Sequence, residues 1–152
     1  MIVLLDTGPL GMLTNPTPTR KTREAQLWMR THLVKGVSFR VPEIADYELR
    51  RNLILENLTD AISRLDALAA AIGYLPLTLP AMRKAAELWA DVRRQGLMTA
   101  PKEALDGDAI LAAQAAIASD GSSQVIIATT NLGHLGRFNT SLVTATEWQN
   151  FT

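Results

Sequence analysis

The chain has 152 residues, and its 15 basic and 15 acidic side chains give no formal net charge. This length is enough for one domain with a hydrophobic core, and 47% hydrophobic residues are ordinary for a globular protein. The absence of cysteine excludes disulfides, thiolate metal sites and cysteine nucleophiles, and two histidines are too few for a histidine-rich metal site. A neutral chain lacks the basic surface that binds nucleic acid by bulk electrostatics, so such a substrate would need a local basic patch, a partner or a bound metal.

The first half of the chain is predicted to begin with a strand and continue with helices. Ile2–Leu5 is a short apolar run that ends at Asp6, which is typical of a strand buried on both faces and followed by a turn. A helix follows Thr19 or Thr22, either of which could cap it, with Ala25, Trp28, Met29 and Leu33 on its apolar face. The remaining elements predicted here are a strand at 37–41 and helices at 43–58 and 59–72.

The second half repeats the alternation of strands and helices. The predicted elements are a strand at 74–79, a helix at 81–95, an irregular segment at 96–105, a helix at 106–118, and strands at 124–128 and 141–145. This alternation predicts a three-layer α/β/α sandwich with a mostly parallel central sheet. Neither an internal repeat nor a linker is visible, so we expect residues 1–152 to form a single domain.

The sequence indicates a cytoplasmic protein. No apolar run approaches the roughly 20 residues that cross a bilayer. The first residues, Met1 to Asp6, carry neither a basic segment nor a small-residue cleavage site of the kind found in secretory signals. We therefore expect no membrane association.

Polar residues follow two of the predicted strands. Asp6 comes directly after the first strand, and Asn131 follows the strand at 124–128. Ligands of open α/β sheets bind at the carboxyl ends of the strands, so both side chains are expected at one crevice. Asp6 could equally cap a helix that begins at Thr7.

Glu48 is a second candidate site residue. On a helix, its neighbours four back and seven on are Ile44 and Leu55, and a carboxylate in an apolar stripe is costly to bury unless it is paired or binds a cation. The alternative is a salt bridge to Arg50 or Arg51 on the same helix.

Asp106 and Asp108 begin the apolar helix of the second half. Acidic residues are common in the first turn of any helix, so both could serve only to stabilise it. Residues two apart point to nearly opposite sides of a helix, which favours Asp106 as the cap and Asp108 as the ligand. Oxygen ligands without cysteine or clustered histidine favour Mg²⁺ or Mn²⁺ over zinc.

Four segments together resemble the PIN-domain family of nucleases. They are Val3–Leu10, which contains Asp6; Pro42–Arg51, which contains Glu48; Asp108–Ala115; and Ala128–Asn131, continuing through His134, Leu135 and Phe138. The resemblance spans nearly the whole chain in the expected order. It implies that Asp6, Glu48 and Asp108 are metal ligands, with Asp106 close enough to contribute.

The resemblance implies a Mg²⁺- or Mn²⁺-dependent endoribonuclease that cleaves RNA. The VapC-type toxins are the subset most similar to this chain; they usually pair with a small antitoxin and often form homodimers. Asn131 stands where the family often has aspartate, and a neutral amide holds metal less strongly. In this interpretation Asn131 assists directly or through water, Thr7 and Thr129 orient ligands, and Arg50, Arg51 or Arg137 could contact phosphates.

Other functions are less consistent with these residues. Phosphatases with an aspartate nucleophile need a second aspartate two residues after the first, where this chain has Gly8. A receiver-like phosphoacceptor needs an acidic pair and a late lysine that are not obvious here. A PIN-like domain that binds RNA or protein without cutting RNA remains an alternative, which Asn131 and the neutral charge favour.

Overall fold

The computed structural model describes residues 1–96 and 105–152. Within these ranges the chain forms five strands, six α-helices and two short 3₁₀ helices, at Leu135–Phe138 and Trp148–Asn150. The strands are β1 (Ile2–Leu5), β2 (Ser38–Pro42), β3 (Tyr74–Leu75), β4 (Val125–Thr129) and β5 (Val143–Glu147). The helices are α1 (Thr7–Thr14), α2 (Arg20–Val34), α3 (Glu43–Leu55), α4 (Thr59–Ile72), α5 (Leu79–Arg94) and α6 (Asp106–Ser119).

The five strands form one parallel sheet in the order β3-β2-β1-β4-β5. β1 lies at the centre, where Ile2 is aligned with Ser38 of β2 and with Val125 of β4. The chain moves outward from β1 to β3 and then returns to β4 on the other side of β1. Such a change of direction opens a crevice at the carboxyl ends of the two adjacent strands. The predicted α/β/α class with a parallel sheet is confirmed.

Helices cover both faces of the sheet because β1 is apolar on both. Successive side chains of a strand point to opposite faces. Val3 and Leu5 pack in a core with Trp28 of α2, whereas Leu4 packs in a second core with Leu111 of α6. Burial on both faces explains the unbroken apolar run of β1.

The first difference from the predicted elements is α1, which occupies residues predicted to form a turn or, alternatively, the start of a helix capped by Asp6. Asp6 caps this helix, and Pro9 is its third residue, where a missing N–H costs no helical hydrogen bond. Leu10 and Leu13 are buried, so core packing outweighs the low helix propensity of the glycines.

The other departures are smaller. β3 has two residues instead of the predicted six, and the N–H of Leu77 beyond it donates to Glu43 Oε1 at 2.8 Å. Thr19 caps α2 as predicted, but Leu33 is 40% exposed and His32 is buried in its place. Most of the predicted irregular segment lies outside the described residues, at 97–104. Among the helices of the described ranges, none has the length and apolar character needed to span a membrane.

Candidate functional site

Asp6 lies in the crevice at the carboxyl end of β1, where it makes two short hydrogen bonds. Its Oδ1 accepts from the N–H of Thr7 at 2.7 Å, as the cap of α1. Its Oδ2 accepts from Oγ1 of Thr129, the last residue of β4, at 2.7 Å. Asp6 therefore fulfils both expectations from the sequence, because it caps a helix and also faces the crevice.

The segment after β4 forms a polar turn. Thr129 is buried, and its hydroxyl accepts from the N–H of Asn131 at 3.2 Å while it donates to Asp6. The side-chain oxygen of Asn131 accepts from the N–H of Gly133 at 3.0 Å, and Asn131 itself is exposed. The contact found for the Asn131 side chain thus stabilises this turn.

Glu48 faces the amino-terminal end of α6. A Cβ added to Gly107 would lie 3.2 Å from both Glu48 carboxylate oxygens, so any other residue there would require the carboxylate to shift slightly. Burial raises the pKa of Glu48, nearby Asp6 and Asp108 raise it further, and Arg51 lowers it. The Glu48 carboxylate therefore lies in electrostatic range of both other predicted ligands.

Asp108 is the second carboxylate that faces α3 across this space. Burial and, secondarily, the charge of Asp6 raise its pKa to about 6. Asp108 and Glu48 line a cavity of about 440 Å³ between α3 and α6. The other residues that line it are Ile44, Tyr47, Arg51, Asp106, Gly107 and Ile110.

Asp106 borders the same cavity but does not cap α6. The N-cap position belongs to Leu105, and no side chain supplies a cap hydrogen bond there, so the prediction that Asp106 caps the helix is wrong. Asp106 is exposed in the first helical turn, where its negative charge interacts favourably with the helix dipole. It lies at the rim of the candidate site.

The two arginines after Glu48 differ in their contacts. Arg50 bonds to Asp46 of α3 at 2.9 Å and to Asp66 of α4 at 2.6 Å, so the alternative of a Glu48–Arg50 salt bridge is not what the structure shows. Arg51 lies over the ring of Tyr47, 5.2 Å from its centroid. Arg51 is therefore the arginine of this pair that borders the cavity beside Glu48.

The structure thus brings three predicted ligands, Asp6, Glu48 and Asp108, into one crevice. They do not form a complete metal site as they stand. Within residues 1–96 and 105–152, no three histidine or carboxylate side chains are close enough to hold one metal ion together. Among the described residues, the buried hydroxyl oxygen of Thr7, which follows Asp6 in the sequence, has no hydrogen-bond partner. An unpaired buried hydroxyl is unusual, and it lies on the residue that follows one of the predicted ligands.

Sequence reasoning missed two residues that shape the site. Gly107 makes room for Glu48, and Gln114 of α6 bonds to the first turn of α3 through the N–H of Ile44. A glycine between two acidic residues at a helix start was a visible signal for the first. No local pattern identifies the second, because its partner lies 70 positions away.

The comparisons with known proteins concern the fold. No known family profile and no curated protein matches the sequence. A chain in the crystal structure of VapBC2 from Rickettsia felis bound to a DNA fragment from their promoter matches with a TM-score of 0.68 and 19% identity, over 97% of this chain and 99% of that one. A chain in the structure of VapBC-1 from nontypeable Haemophilus influenzae matches with a TM-score of 0.69 and 15% identity, over 99% of this chain and 100% of that one. The predicted resemblance is confirmed as a likeness of fold: this chain has a PIN-like fold, shared with chains of two VapBC structures.

Proposed function

We propose that this chain is an endoribonuclease that depends on Mg²⁺ or Mn²⁺ and acts as the toxin of a toxin–antitoxin pair. The observation that carries the proposal is that Asp6, Glu48 and Asp108 lie within electrostatic range of one another near the carboxyl edge of the sheet. Two of these carboxyl groups have raised pKa values, in part because of the third. Carboxylates held together against their mutual repulsion are typical of a site that a cation completes.

The donor atoms fit a hard divalent cation. Mg²⁺ and Mn²⁺ prefer carboxylate, hydroxyl and water oxygens, and the unpartnered hydroxyl of Thr7 adds an oxygen to the three carboxylates. Because no three acidic side chains of the described residues lie in mutual ligand range, a cation would need a changed rotamer or a bridging water to engage all of them. We assign Asp6, Glu48 and Asp108 as the main ligands and Asp106 and Asn131 as accessory groups.

The chain's own groups supply orientation and charge. A bound divalent cation would activate a water and neutralise phosphate charge during phosphodiester hydrolysis. The Thr129 hydroxyl holds one oxygen of Asp6 and thereby fixes the plane of its carboxylate. Arg51, at the cavity rim, is placed to meet a phosphate of the RNA substrate, which would give this neutral chain a local basic contact.

The proposed partner is a small antitoxin. The two solved chains reported above each come from a VapBC structure, whose name joins two kinds of protein. By that likeness, we propose that an antitoxin covers the crevice and blocks RNA entry, and that the toxin forms homodimers. The whole chain, residues 1–152, would act as one nuclease domain.

A PIN-like binding module that does not cut RNA is the second candidate. The observation that favours it is Asn131, a neutral side chain whose oxygen is already engaged by Gly133. Such a module would bind Mn²⁺ or RNA without producing cleaved fragments.

The test compares Asp6→Asn with a matched control, Asp60→Asn, at an exposed aspartate in the first turn of α4. Asparagine keeps one oxygen to accept from the N–H of Thr7, and its NH2 can donate to the Thr129 hydroxyl, which can itself donate to the carbonyl of Asn131, so the fold should survive while the ligand charge is lost. We expect Mn²⁺ to raise the melting temperature of the wild type and the control but not of Asp6→Asn. RNA cleavage should fall at least ~100-fold in Asp6→Asn alone. Full Mn²⁺-dependent cleavage by Asp6→Asn would refute the proposal, and Mn²⁺ binding without any wild-type cleavage would favour the binding module.

A further inference from the structure

Gln114 is a fully buried polar residue in the middle of α6. Its side chain is 1% exposed, and both ends of its amide are used. Oε1 accepts from the N–H of Ile44 at 3.2 Å, and Nε2 donates to the carbonyl of Leu75 at 2.8 Å. A buried amide with both ends bonded has one favourable orientation, because any rotation leaves a polar group unpaired.

The bond to Ile44 takes the place of a missing helix cap. The first four N–H groups of a helix lack partners within it, and a side chain at the N-cap position usually supplies one. At α3 that position is Pro42, which offers no side-chain cap hydrogen bond. Gln114 therefore caps α3 from a different helix, and the position of α3 along α6 is tied to this bond.

The other bond fixes a third element. Leu75 is the last residue of β3, the edge strand of the sheet. Its carbonyl accepts this hydrogen bond at the point where the strand ends after two residues. Gln114 thus holds α3, α6 and the end of β3 together.

These two hydrogen bonds lie close to two of the carboxylates. Ile44 lies one helical turn before Glu48 on the same face of α3, about 6 Å along the axis. Asp108 lies six positions before Gln114 on α6, about 9 Å along the axis. One side chain therefore couples the two helices that carry Glu48 and Asp108, within two turns of each carboxylate.

We infer that Gln114 is a positioning residue that sets the spacing of Glu48 and Asp108 for cation binding. The inference rests on the proposed function, because it concerns the cation that these carboxylates would bind. A group that orients metal ligands without touching the metal commonly changes metal affinity 10- to 100-fold when it is removed. A residue that only fills the core would change stability and leave affinity in the folded protein unaltered.

The experiment measures the dissociation constant of Mn²⁺ for the full chain, well below the melting temperature of every variant. The test variant is Gln114→Met, which keeps the length of the side chain and removes both hydrogen bonds. The control is Ser119→Ala, at another buried polar side chain of α6, whose hydroxyl donates to the carbonyl of Ala116 in its own helix. We expect at least ~10-fold weaker Mn²⁺ binding for Gln114→Met and wild-type binding for Ser119→Ala.

A second measurement uses the wild type and is needed if Gln114→Met does not fold. Coupling between two sites is reciprocal, so a cation that depends on the position of α3 must in turn stabilise it. We expect saturating Mn²⁺ to slow hydrogen exchange of the Ile44 amide more than that of the Val92 amide in α5. Equal slowing at both amides, or unchanged Mn²⁺ affinity in a folded Gln114→Met, would overturn this inference but not the proposed function. A wild type that binds no Mn²⁺ would overturn the cation site of the proposed function and the inference with it.

Discussion

Thr129 Oγ1 donates a 2.7 Å hydrogen bond to Asp6 Oδ2 and joins residues that lie 123 positions apart in the chain. β1 and β4 are neighbours in the sheet, and each of these residues stands where its strand ends. The hydroxyl also accepts from the N–H of Asn131, so one buried side chain connects the first carboxylate to the turn after β4. The geometry of the crevice therefore depends on this threonine.

The first prediction concerns Thr129→Val, which keeps the shape of the side chain and removes the hydroxyl. We expect the free energy of unfolding to fall by about 1–3 kcal/mol, because the Asp6 carboxylate and the Asn131 N–H each lose a partner in a partly buried place. Urea denaturation followed by circular dichroism measures the change. The matched control is Thr144→Val, at an exposed threonine of β5, for which a change below about 0.5 kcal/mol is expected. Equal stability of the two variants would show that the bond contributes nothing measurable.

The second prediction concerns pH and the metal-free protein. The pKa of Asp108 is raised from an ordinary 3.8 to about 6, so the folded chain binds more protons than the unfolded chain between these values. Stability therefore decreases as pH rises through that window and stays low above it. After allowance for solvent screening of a partly exposed group, the loss is on the order of 1 kcal/mol.

Asp108→Asn tests this pH effect. The variant cannot ionise at this position, so we expect its stability to vary less than that of the wild type between pH 4 and pH 7. At pH 7, without metal, it should melt at a higher temperature than the wild type while binding Mn²⁺ more weakly. A wild-type protein whose stability rises steadily from pH 4 to pH 7, with Asp108→Asn following the same curve, would contradict the prediction.

The third prediction concerns two glycines of α1 that respond in opposite ways to alanine. A Cβ on Gly8 would lie closer than 3.0 Å to three side-chain atoms of Thr130, including its Cβ, so rotation of Thr130 alone does not relieve the overlap. A Cβ on Gly11 would meet Leu49 at 3.6 Å, an ordinary contact. We expect Gly8→Ala to cost about 1–3 kcal/mol and Gly11→Ala to stabilise the chain by up to ~1 kcal/mol, since alanine favours helix. Thermal unfolding of both variants measures these changes in stability. Stabilisation by both substitutions would show that Thr130 is not fixed in its position against α1.

The fourth prediction separates the roles of Arg50 and Arg51. Arg50 joins Asp46 of α3 to Asp66 of α4, and Asp46 is buried. We expect Arg50→Met to destabilise the protein by about 1–2 kcal/mol and to leave RNA affinity nearly unchanged. Arg51→Met should do the opposite: it should weaken RNA binding and reduce the slope of log affinity against log salt concentration by about 0.7 for one lost phosphate contact.

RNA binding is measured with Asp6→Asn as the background, so that the substrate is not cut. The salt slope distinguishes a phosphate contact from a general loss of folded protein, because loss of folded protein lowers affinity equally at every salt concentration. An unchanged slope for Arg51→Met would show that Arg51 does not contact an RNA phosphate.

The extent to which the fold follows from the sequence is clearest in β1 and α4. The apolar run at Ile2–Leu5 could only be a buried strand, and α4 spans the predicted residues Thr59–Ile72. Local pattern left a turn and a helix open at α1, because Gly8 and Pro9 are typical of turns, and core burial of Leu10 and Leu13 favours the helix. The prediction failed at β3, where pairing with β2 covers only two residues and Pro76, which has no N–H for a ladder hydrogen bond, follows the last of them.

The candidate site, like the fold, could be predicted from the sequence only in part. Asp6, Glu48 and Asp108 were recognisable because their types and their places after a strand or on a helix are local features. That Arg50 pairs with other carboxylates than Glu48 was not recognisable, since this depends in part on Asp66 of the next helix. Gln114 was missed for the same reason, because its contacts cross from α6 to α3 and β3.

The central position of β1 has a consequence for synthesis on the ribosome. β1 is made first, yet its neighbour β4 is translated more than 120 residues later. Until β4 emerges, one edge of β1 is bare and Asp6 has no threonine to hold it. A nascent chain that ends between Asp108 and Val125 therefore carries Asp6, Glu48 and Asp108 but lacks the strand that supplies Thr129, so the proposed cation site would be assembled only after β4 is translated.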